Sequence, residues 1–449
     1  MTERRLKVPA LLVLVLAGFL AACSTTSENG GVTPVDIPAA SMSYIVLAWN
    51  DLGMHCLNPT YDKEVLLPPY NNIWAQVIKR GNPPEIVTTG VTLEYRIVDN
   101  TYSYGKGTAS PLRSYGQFWD NAFDLFGVSL AHDTGLNLVD PDIHNELSGT
   151  MLLKGNHFEV DGVPVVPIDD AGTWDPYQIA EIVVRDASTS AELARTRATV
   201  PTSDEINCAN CHGQTINDVA ILSVLAEHDK AEETTFVADG VPVLCADCHG
   251  SPALGQTGSG STELYLSQAI HGFHSSTAAT CYDCHPGATT KCNRSTAHTA
   301  TDGNCTTCHG TLANVAATIS AGRVPWVNEP KCVDCHTFIA EVSTGSTLYR
   351  NANAHNGISC PACHGSPHAQ IPSDKAVDHY QALQYQNKDK ALPLGSCRVC
   401  HSGSKGGGLA KIVDAHGGSR PTACAVCHTG PISTNNPLEF PHRFQQRNR

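Results

Sequence analysis

The chain has 449 residues, enough for two or three domains, and its 19 cysteines are unevenly distributed. Its formal net charge is −14 at pH 7, which makes it a poor candidate for binding nucleic acid. Only Cys23 and Cys56 precede residue 208. Chemistry that needs clustered cysteines therefore belongs to the second half of the chain.

The first 22 residues are predicted to be an export signal. Three basic residues precede an apolar run over 8–20, which is too short to span a bilayer and remain there. The run ends in Leu-Ala-Ala-Cys, which resembles a bacterial lipobox and implies cleavage before Cys23 and lipid attachment to its thiol; an ordinary secretory signal is the alternative. Because Ser24 follows instead of Asp, we expect an outer-membrane lipoprotein, at the cell surface or facing the periplasm. Residues 23–43 are expected to form a flexible tether.

Within residues 44–203, positions 91–97 alternate apolar and polar side chains in the way that is typical of a half-buried β-strand, and several other segments are also typical of strands. Strands are predicted over 44–49, 73–78, 91–97, 182–185 and 193–200. A hairpin turn is predicted at Asp161-Gly162, between 158–160 and 163–165. The sequence therefore predicts an all-β, antiparallel and sandwich-like domain, with loop insertions between residues 100 and 155.

The most unusual stretch of this domain is residues 49–56, Trp-Asn-Asp-Leu-Gly-Met-His-Cys. Its Asp51, Met54, His55 and Cys56 are residue types that ligate copper or another metal, or reach a haem. A turn after a strand, with a buried free cysteine, is the simpler interpretation. Three other histidines of the domain are expected to be ordinary surface or core residues: His132, His144 and His157.

One pentapeptide, Cys-x-x-Cys-His, occurs eight times from residue 208 onward. Two thiols at this spacing can each add to one vinyl group of a haem, and the next histidine can bind the iron as proximal ligand. The cysteines are Cys208, Cys211, Cys245, Cys248, Cys281, Cys284, Cys305, Cys308, Cys332, Cys335, Cys360, Cys363, Cys397, Cys400, Cys424 and Cys427. The histidines are His212, His249, His285, His309, His336, His364, His401 and His428. Eight covalent haem c groups are therefore predicted. Disulfides and zinc are the alternatives, but zinc sites do not require a histidine after every second cysteine.

Histidine is also the expected ligand on the distal side of each iron. Methionine, the usual alternative, does not occur after Met151. Nine further histidines follow residue 208 and are the candidate distal ligands: His228, His271, His274, His298, His355, His368, His379, His416 and His442. Mostly bis-histidine ligation is therefore predicted, and it favours low potentials and electron transfer.

Two of these candidates lie just before a motif of their own. His355 precedes Cys360 by five residues, in His-Asn-Gly-Ile-Ser-Cys, and His416 precedes Cys424. So short a segment cannot place its histidine comfortably over the distal face of the haem that its own motif attaches. Each of the two is therefore expected to ligate a neighbouring haem and so to connect two cofactors.

Successive motifs begin 24 to 37 residues apart. Such short segments cannot surround a haem with a protein core, so the haems are expected to lie close together and to form the core themselves. Residues 204–449 are accordingly predicted to be mostly coil, with short helices over 217–229, 262–274 and 378–386.

The lipobox, the eight motifs and the spare histidines together resemble the multihaem c-type cytochrome lipoproteins of metal-reducing bacteria such as Geobacter. The Cys-His-Gly-Ser-Pro-His-Ala run that begins at Cys363 and the run that ends at Cys292 are similar to segments of those cytochromes. The resemblance implies electron transfer toward extracellular or outer-membrane acceptors. Other cytochromes or redox partners, extracellular metal oxides and further copies of the chain are the implied partners.

Two other functions stay open from the sequence. One is a multihaem reductase of a small oxyanion with one open haem site, and the other is a haem-bearing filament or adhesion protein. An electron carrier is favoured over an enzyme. The spare cysteines Cys56 and Cys292 fit a disulfide, two free thiols or a contact beside a haem.

The motif count leads to a direct prediction. The fully matured protein should carry eight haem c groups per chain, because each motif supplies two thiols and one iron ligand. Intact mass and a pyridine haemochrome assay measure this number. Six or fewer in matured protein would contradict it.

Overall fold

A computed structural model describes residues 43–108, 112–206, 208–212, 221–287, 289–299, 305–335, 347–354, 357–385, 393–394 and 397–402. The strands are β1 (Tyr44–Asn50), β2 (His55–Cys56), β3 (Glu64–Val65), β4 (Asn71–Lys79), β5 (Glu85–Val87), β6 (Val91–Ile97), β7 (Ser148–Thr150), β8 (Leu152–Lys154), β9 (His157–Val163), β10 (Ile179–Asp186), β11 (Glu192–Thr199), β12 (Thr202–Ser203), β13 (Val243–Leu244), β14 (Asn353–Ala354) and β15 (Ile358–Ser359).

The helices are short. The α-helices are α1 (Gln117–Asp120), α2 (Ala122–Phe126), α3 (Ala209–His212), α4 (Ile221–Glu232), α5 (Phe236–Asp239), α6 (Leu266–His274), α7 (Thr296–Thr299), α8 (Thr306–His309), α9 (Leu312–Ser320), α10 (Cys332–Cys335), α11 (Cys360–His364) and α12 (Tyr380–Tyr385). Single 3₁₀ turns cover Cys245–Asp247, Pro252–Leu254, Cys281–Asp283, Tyr349–Asn351, Ala376–His379 and Cys397–Val399. Within the residues that the structure describes, no helix is long and apolar enough to cross a membrane.

Two antiparallel sheets dominate the first half of the chain, as the sequence predicts. One has the order β1-β4-β9-β8, with β5 also paired to β4, and the other has the order β11-β10-β6-β7. In β6, Leu93, Tyr95 and Ile97 are buried while Thr92 and Arg96 are exposed, which is the alternation of a strand with one face in the core. Apolar residues of both sheets form a single core cluster, so the two sheets pack face to face.

The predicted hairpin turn at Asp161-Gly162 is wrong. Strand β9 continues through both residues, and its pairing with β4 shifts register between Asn71 and Ile73. Gly162 has a φ of +72°, so the Asp-Gly pair forms a bulge instead of a turn. The hairpin lies earlier, between β8 and β9, where Lys154 pairs with His157.

A helix overlaps each of the three predicted ranges, with different bounds. Helix α4 extends further along the chain than predicted, and α6 begins at Leu266 because Thr262 bonds instead to the carbonyl of Cys248. The predicted helix over 378–386 is a 3₁₀ turn followed by α12.

Helix α12 and the chain before it cover the free edge of β1. The Tyr385 hydroxyl donates to the Val46 carbonyl at 2.7 Å and accepts from the Val46 amide at 3.3 Å. Gln381 bonds in the same way to both backbone groups of Ala48. These side chains satisfy backbone groups that an edge strand leaves without a strand partner. The haem-motif half of the chain is therefore attached directly to the β domain.

This edge contact predicts the effect of one conservative substitution. Tyr385→Phe removes both hydrogen bonds to buried Val46 and leaves its backbone groups unsatisfied, so the free energy of unfolding should fall by about 1–3 kcal/mol. Tyr102→Phe, at an exposed tyrosine, is the matched control and should change it little. Denaturant unfolding of the matured protein measures both, and equal effects would contradict the contact.

Candidate haem sites

Four motif histidines each face one of the candidate distal histidines. The ring centroids are 6.2 Å apart for His212 and His274, and 6.4 Å apart for His249 and His228. They are 6.0 Å apart for His285 and His271, and 6.1 Å apart for His309 and His368. In every pair one ring belongs to a Cys-x-x-Cys-His motif and the other does not.

This spacing fits one metal ion between the two rings. Two metal–imidazole bonds of about 2 Å each, together with the distance from each nitrogen to its ring centre, fill a gap of this size. In the part of the chain that the structure describes, no group of three or more His, Cys, Asp or Glu side chains is arranged to hold a metal. The arrangement suits two axial imidazoles on a haem iron and does not suit a four-ligand zinc site.

The second ring nitrogen of the distal histidines has a partner of its own. His271 Nδ1 lies 2.6 Å from the Ser267 carbonyl oxygen, and His274 Nδ1 lies 2.9 Å from the Ile270 carbonyl oxygen, both one turn earlier in α6. A protonated Nδ1 that donates to a carbonyl leaves the Nε2 lone pair available for a metal.

The Nδ1 atoms of candidate distal histidines outside α6 also have partners. His228 Nδ1 lies 3.0 Å from the Thr234 hydroxyl oxygen, and His368 Nδ1 lies 3.5 Å from the Leu52 carbonyl oxygen. On the motif side, His249 Nδ1 lies 2.9 Å from the Thr262 hydroxyl oxygen. These partners orient the rings, and a carbonyl such as that of Leu52 can only accept from a protonated Nδ1, which is the tautomer that ligation through Nε2 needs.

Burial keeps several of these rings neutral, which is the form that binds a metal. The pKa of His285 is lowered to about 4 by burial and by the neighbouring His271, His309 and His368. Burial also lowers the pKa of His271, and that of His368. The third and fourth motifs therefore bring their imidazoles into one desolvated region.

Cysteines of different motifs are neighbours in space. Burial, Glu64 and then Cys284 of the third motif raise the pKa of Cys208 in the first motif to about 12. Burial and Cys208 raise the pKa of Cys245 in the second motif to about 12. The first motif therefore lies beside both the second and the third.

The later motifs form similar contacts. Burial and then Cys281 of the third motif raise the pKa of Cys305 in the fourth, and the two thiols share a hydrogen bond. Burial and then Cys400 of the seventh motif raise the pKa of Cys363 in the sixth to about 12. His368, which faces His309 of the fourth motif, follows His364 of the sixth by only four residues.

The structure places two further candidates in other surroundings. His379 Nε2 accepts a hydrogen bond from the Ser373 amide at 2.8 Å, and His298 Nδ1 lies 3.2 Å from the Ser295 hydroxyl oxygen. Among the motif histidines, His364 ends α11 and His401 forms a β-bridge with Gly81. The remaining predicted ligands and thiols lie outside the described residues: His336, His355, His416, His428, His442, Cys424 and Cys427.

Residues 49–56 of the β domain form a hydrogen-bonded loop. His55 Nε2 lies 2.8 Å from Asp51 Oδ1, and Asp51 Oδ2 accepts from Asn72 at 3.0 Å. Met54 is buried nearby. The Asp51 carboxylate, which the sequence made a candidate metal ligand, therefore binds protein groups.

The spare cysteines Cys56 and Cys292 are both free thiols in the structure. Burial and then the charge of Cys292 raise the pKa of Cys56. Burial also raises the pKa of Cys292, to about 11. Both thiols are half-buried, and their raised pKa values keep them protonated.

The other histidines of the β domain occupy ordinary positions. His132 stacks on Tyr104 with ring centroids 3.5 Å apart, and His157 packs beside Trp74 and 3.2 Å from Glu159. His144 is half-buried. The sequence did not indicate the Leu52, Ser267 and Ile270 carbonyls at the candidate sites, because every residue has a backbone carbonyl and no side-chain pattern marks these three.

A protein-family model described as cytochrome c554 and c-prime matches residues 314–365. This segment contains two of the Cys-x-x-Cys-His motifs, at 332–336 and 360–364. The match supports a c-type cytochrome with covalently bound haem c and a haem-based role in electron transfer. No curated protein and no solved structure matches the chain.

Proposed function

We propose that this chain carries electrons through eight closely spaced haem c groups, most of them held between two histidines. The observation that carries the proposal is the set of four facing imidazole pairs, each with one motif histidine and one histidine from elsewhere. Haem iron supplies reversible one-electron chemistry at such positions.

Paired imidazoles favour a carrier over a reductase. At each of the four pairs the two histidines would be the protein ligands of a haem iron, which would leave a small oxyanion no coordination position there. The rings are already oriented by Nδ1 partners such as the Ser267 and Ile270 carbonyls, so little rearrangement accompanies the gain or loss of an electron. A site that does not reorganise suits repeated electron transfer.

The neighbouring cysteines support an order for the sites in space. The second motif lies beside the first through Cys245 and Cys208, and the first beside the third through Cys208 and Cys284. The third meets the fourth through Cys281 and Cys305. The proposed path therefore runs second, first, third and fourth motif, and His368 extends it from the fourth to the sixth.

Helix α6 connects two of these sites. Its His271 faces His285 of the third motif and its His274 faces His212 of the first. Residues three apart lie on nearly the same face of a helix, so their imidazoles emerge side by side. One short helix thereby fixes the distance between two proposed haems.

Because the two histidines of α6 face different motifs, replacing each one should affect a different haem, and the two effects should add. His271→Ala and His274→Ala should each turn one haem high-spin and open it to carbon monoxide, and the double variant should do so at two haems. All eight haems should stay attached, because attachment uses cysteines. Electron paramagnetic resonance and carbon monoxide titration count the affected haems.

His132→Ala is the control for these variants, since that ring stacks on Tyr104 in the β domain. It should leave every haem spectrum unchanged. If both α6 variants stay fully low-spin, the pairing is wrong. If the double variant opens only one haem, the two histidines do not serve separate sites.

We also propose that lipid on Cys23 anchors the protein to the outer membrane and places it near partner cytochromes and extracellular acceptors such as metal oxides. The lipobox-like sequence and the tether that follows it support this location. The acidic net charge of −14 fits partners or surfaces that carry positive charge.

The anchor has a simple test. Cys23→Ala should move the protein from the membrane fraction to the soluble fraction while the haem content stays the same, because haem attachment uses other cysteines. Cys56→Ala, at a cysteine outside both the lipobox and the motifs, should remain in the membrane fraction. Membrane retention of Cys23→Ala after fractionation would contradict lipid attachment.

A further inference from the structure

The loop formed by Asn50, Asp51, Leu52 and Gly53, which follows β1, contacts the haem-motif half of the chain at His368. The Asn50 side-chain carbonyl shapes this loop by accepting from the amides of Leu52, at 3.2 Å, and Gly53, at 2.7 Å. This is an Asx turn, and it directs the Leu52 carbonyl away from β1. Leu52 O then lies 3.5 Å from His368 Nδ1.

The loop fits tightly against the segment that carries His368. The Asn50 amide donates to the Ser366 hydroxyl at 3.2 Å. Gly53 has a φ of +77°, and a Cβ at this position would lie 1.7 Å from the carbonyl oxygen of Pro367. A side chain here would therefore have to displace either the loop or the backbone just before His368.

His368 is held in a backbone conformation that few residues adopt. Its φ is +58°, in the left-handed region, where non-glycine residues are uncommon and often mark functional positions. Its carbonyl accepts from the amides of Arg294, at 2.8 Å, and Ser295, at 3.2 Å. The Arg294 guanidinium also donates to the Gly53 carbonyl, so one residue holds both sides of the contact.

We propose that this loop is a positioning element for one haem: the Leu52 carbonyl orients His368 toward His309 and thereby sets the reduction potential of the haem between them. The inference rests on the proposed function, because it takes His368 as the distal ligand. It gives residues 50–53 a role in the haem half of the chain, although they belong to the β domain and bind no cofactor themselves.

The expected effect follows from the hydrogen bond. An Nδ1–H that donates to a carbonyl makes the imidazole a more basic ligand, and a more basic ligand stabilises ferric iron. Loss of this partner should therefore raise the midpoint potential of one haem. Partners of this kind change metal binding by about 10- to 100-fold, and a tenfold change corresponds to about 59 mV for one electron.

Gly53→Ala tests the proposal, with Gly90→Ala as the matched control. Both glycines lie in the β domain at positive φ, but a Cβ at Gly90 meets nothing within 4 Å. Gly53→Ala should keep eight haems, raise the potential of one of them by about 59 mV and let that haem bind carbon monoxide at least about tenfold faster. Gly90→Ala should match the wild type in all three measurements.

His368→Ala separates failure of this inference from failure of the proposed function. It should turn one haem high-spin. If it does so while a fully loaded Gly53→Ala protein matches Gly90→Ala, the positioning role is overturned and the pairing stands. If His368→Ala keeps all haems low-spin, the pairing with His309 is wrong and the inference is overturned with it.

If Gly53→Ala does not fold, Leu52→Gly is the variant that tests the positioning role of the Leu52 carbonyl. It keeps the carbonyl but frees the backbone that holds it, because glycine is conformationally permissive. The same haem should respond in the same direction by a smaller amount. An unchanged titration and unchanged carbon monoxide kinetics for this variant would overturn the proposal.

Discussion

The buried ion pair between Arg294 and Asp378 joins two segments of the haem-motif half of the chain, and Arg294 also connects them to the β domain. The guanidinium is fully buried, and its Nε and Nη2 bind the two carboxylate oxygens at 2.7 and 2.9 Å. Burial by itself raises the pKa of Asp378, but the charge and hydrogen bonds of Arg294 outweigh it and leave this pKa lowered. Breaking such a pair costs about 3–5 kcal/mol, because one charge then stays buried alone. The third guanidinium bond goes to the Gly53 carbonyl, so the same pair also holds the loop that meets His368.

A haem-motif segment of a few tens of residues cannot bury enough apolar surface to hold its own shape. In this chain, neighbouring elements supply what is missing. Strand β2 pairs with β12, which lies just before the first motif. Strand β3 pairs with β13, which lies after the first motif. The β domain also offers the edge of β1 to Gln381 and Tyr385. The β domain therefore packs directly against the segments that carry the haem motifs.

Local patterns predicted the parts of the structure that local interactions determine. Apolar, strand-prone segments located β1, β4, β6, β10 and β11. In β6 apolar and polar residues alternate because one face is in the core, whereas β1 is buried on both faces. The Asp161-Gly162 pair misled because a glycine at positive φ serves a bulge as well as a turn, and only the pairing of β9 with β4 distinguishes them. The motifs mark the proposed proximal histidines directly, and that assignment stays a prediction. The spacing of the histidines along the chain did not predict which of them face the motif histidines. His228 comes before the motif histidine that it faces, whereas His274 and His368 come after theirs and belong to other segments.

Which histidine faces a given motif therefore depends on the tertiary structure. The same choice determines which segments of the chain are connected. A histidine from the same segment as its partner would hold one cofactor in place. A histidine from a different segment holds a cofactor and also fixes where two segments lie. In the proposed pairing, His271 and His274 on α6 would do this for the first and third motifs, and His368 for the fourth and sixth. The ligands that complete the proposed iron sites are thus the same residues that set the distances between them, so folding of the segments and spacing of the haems cannot be separated.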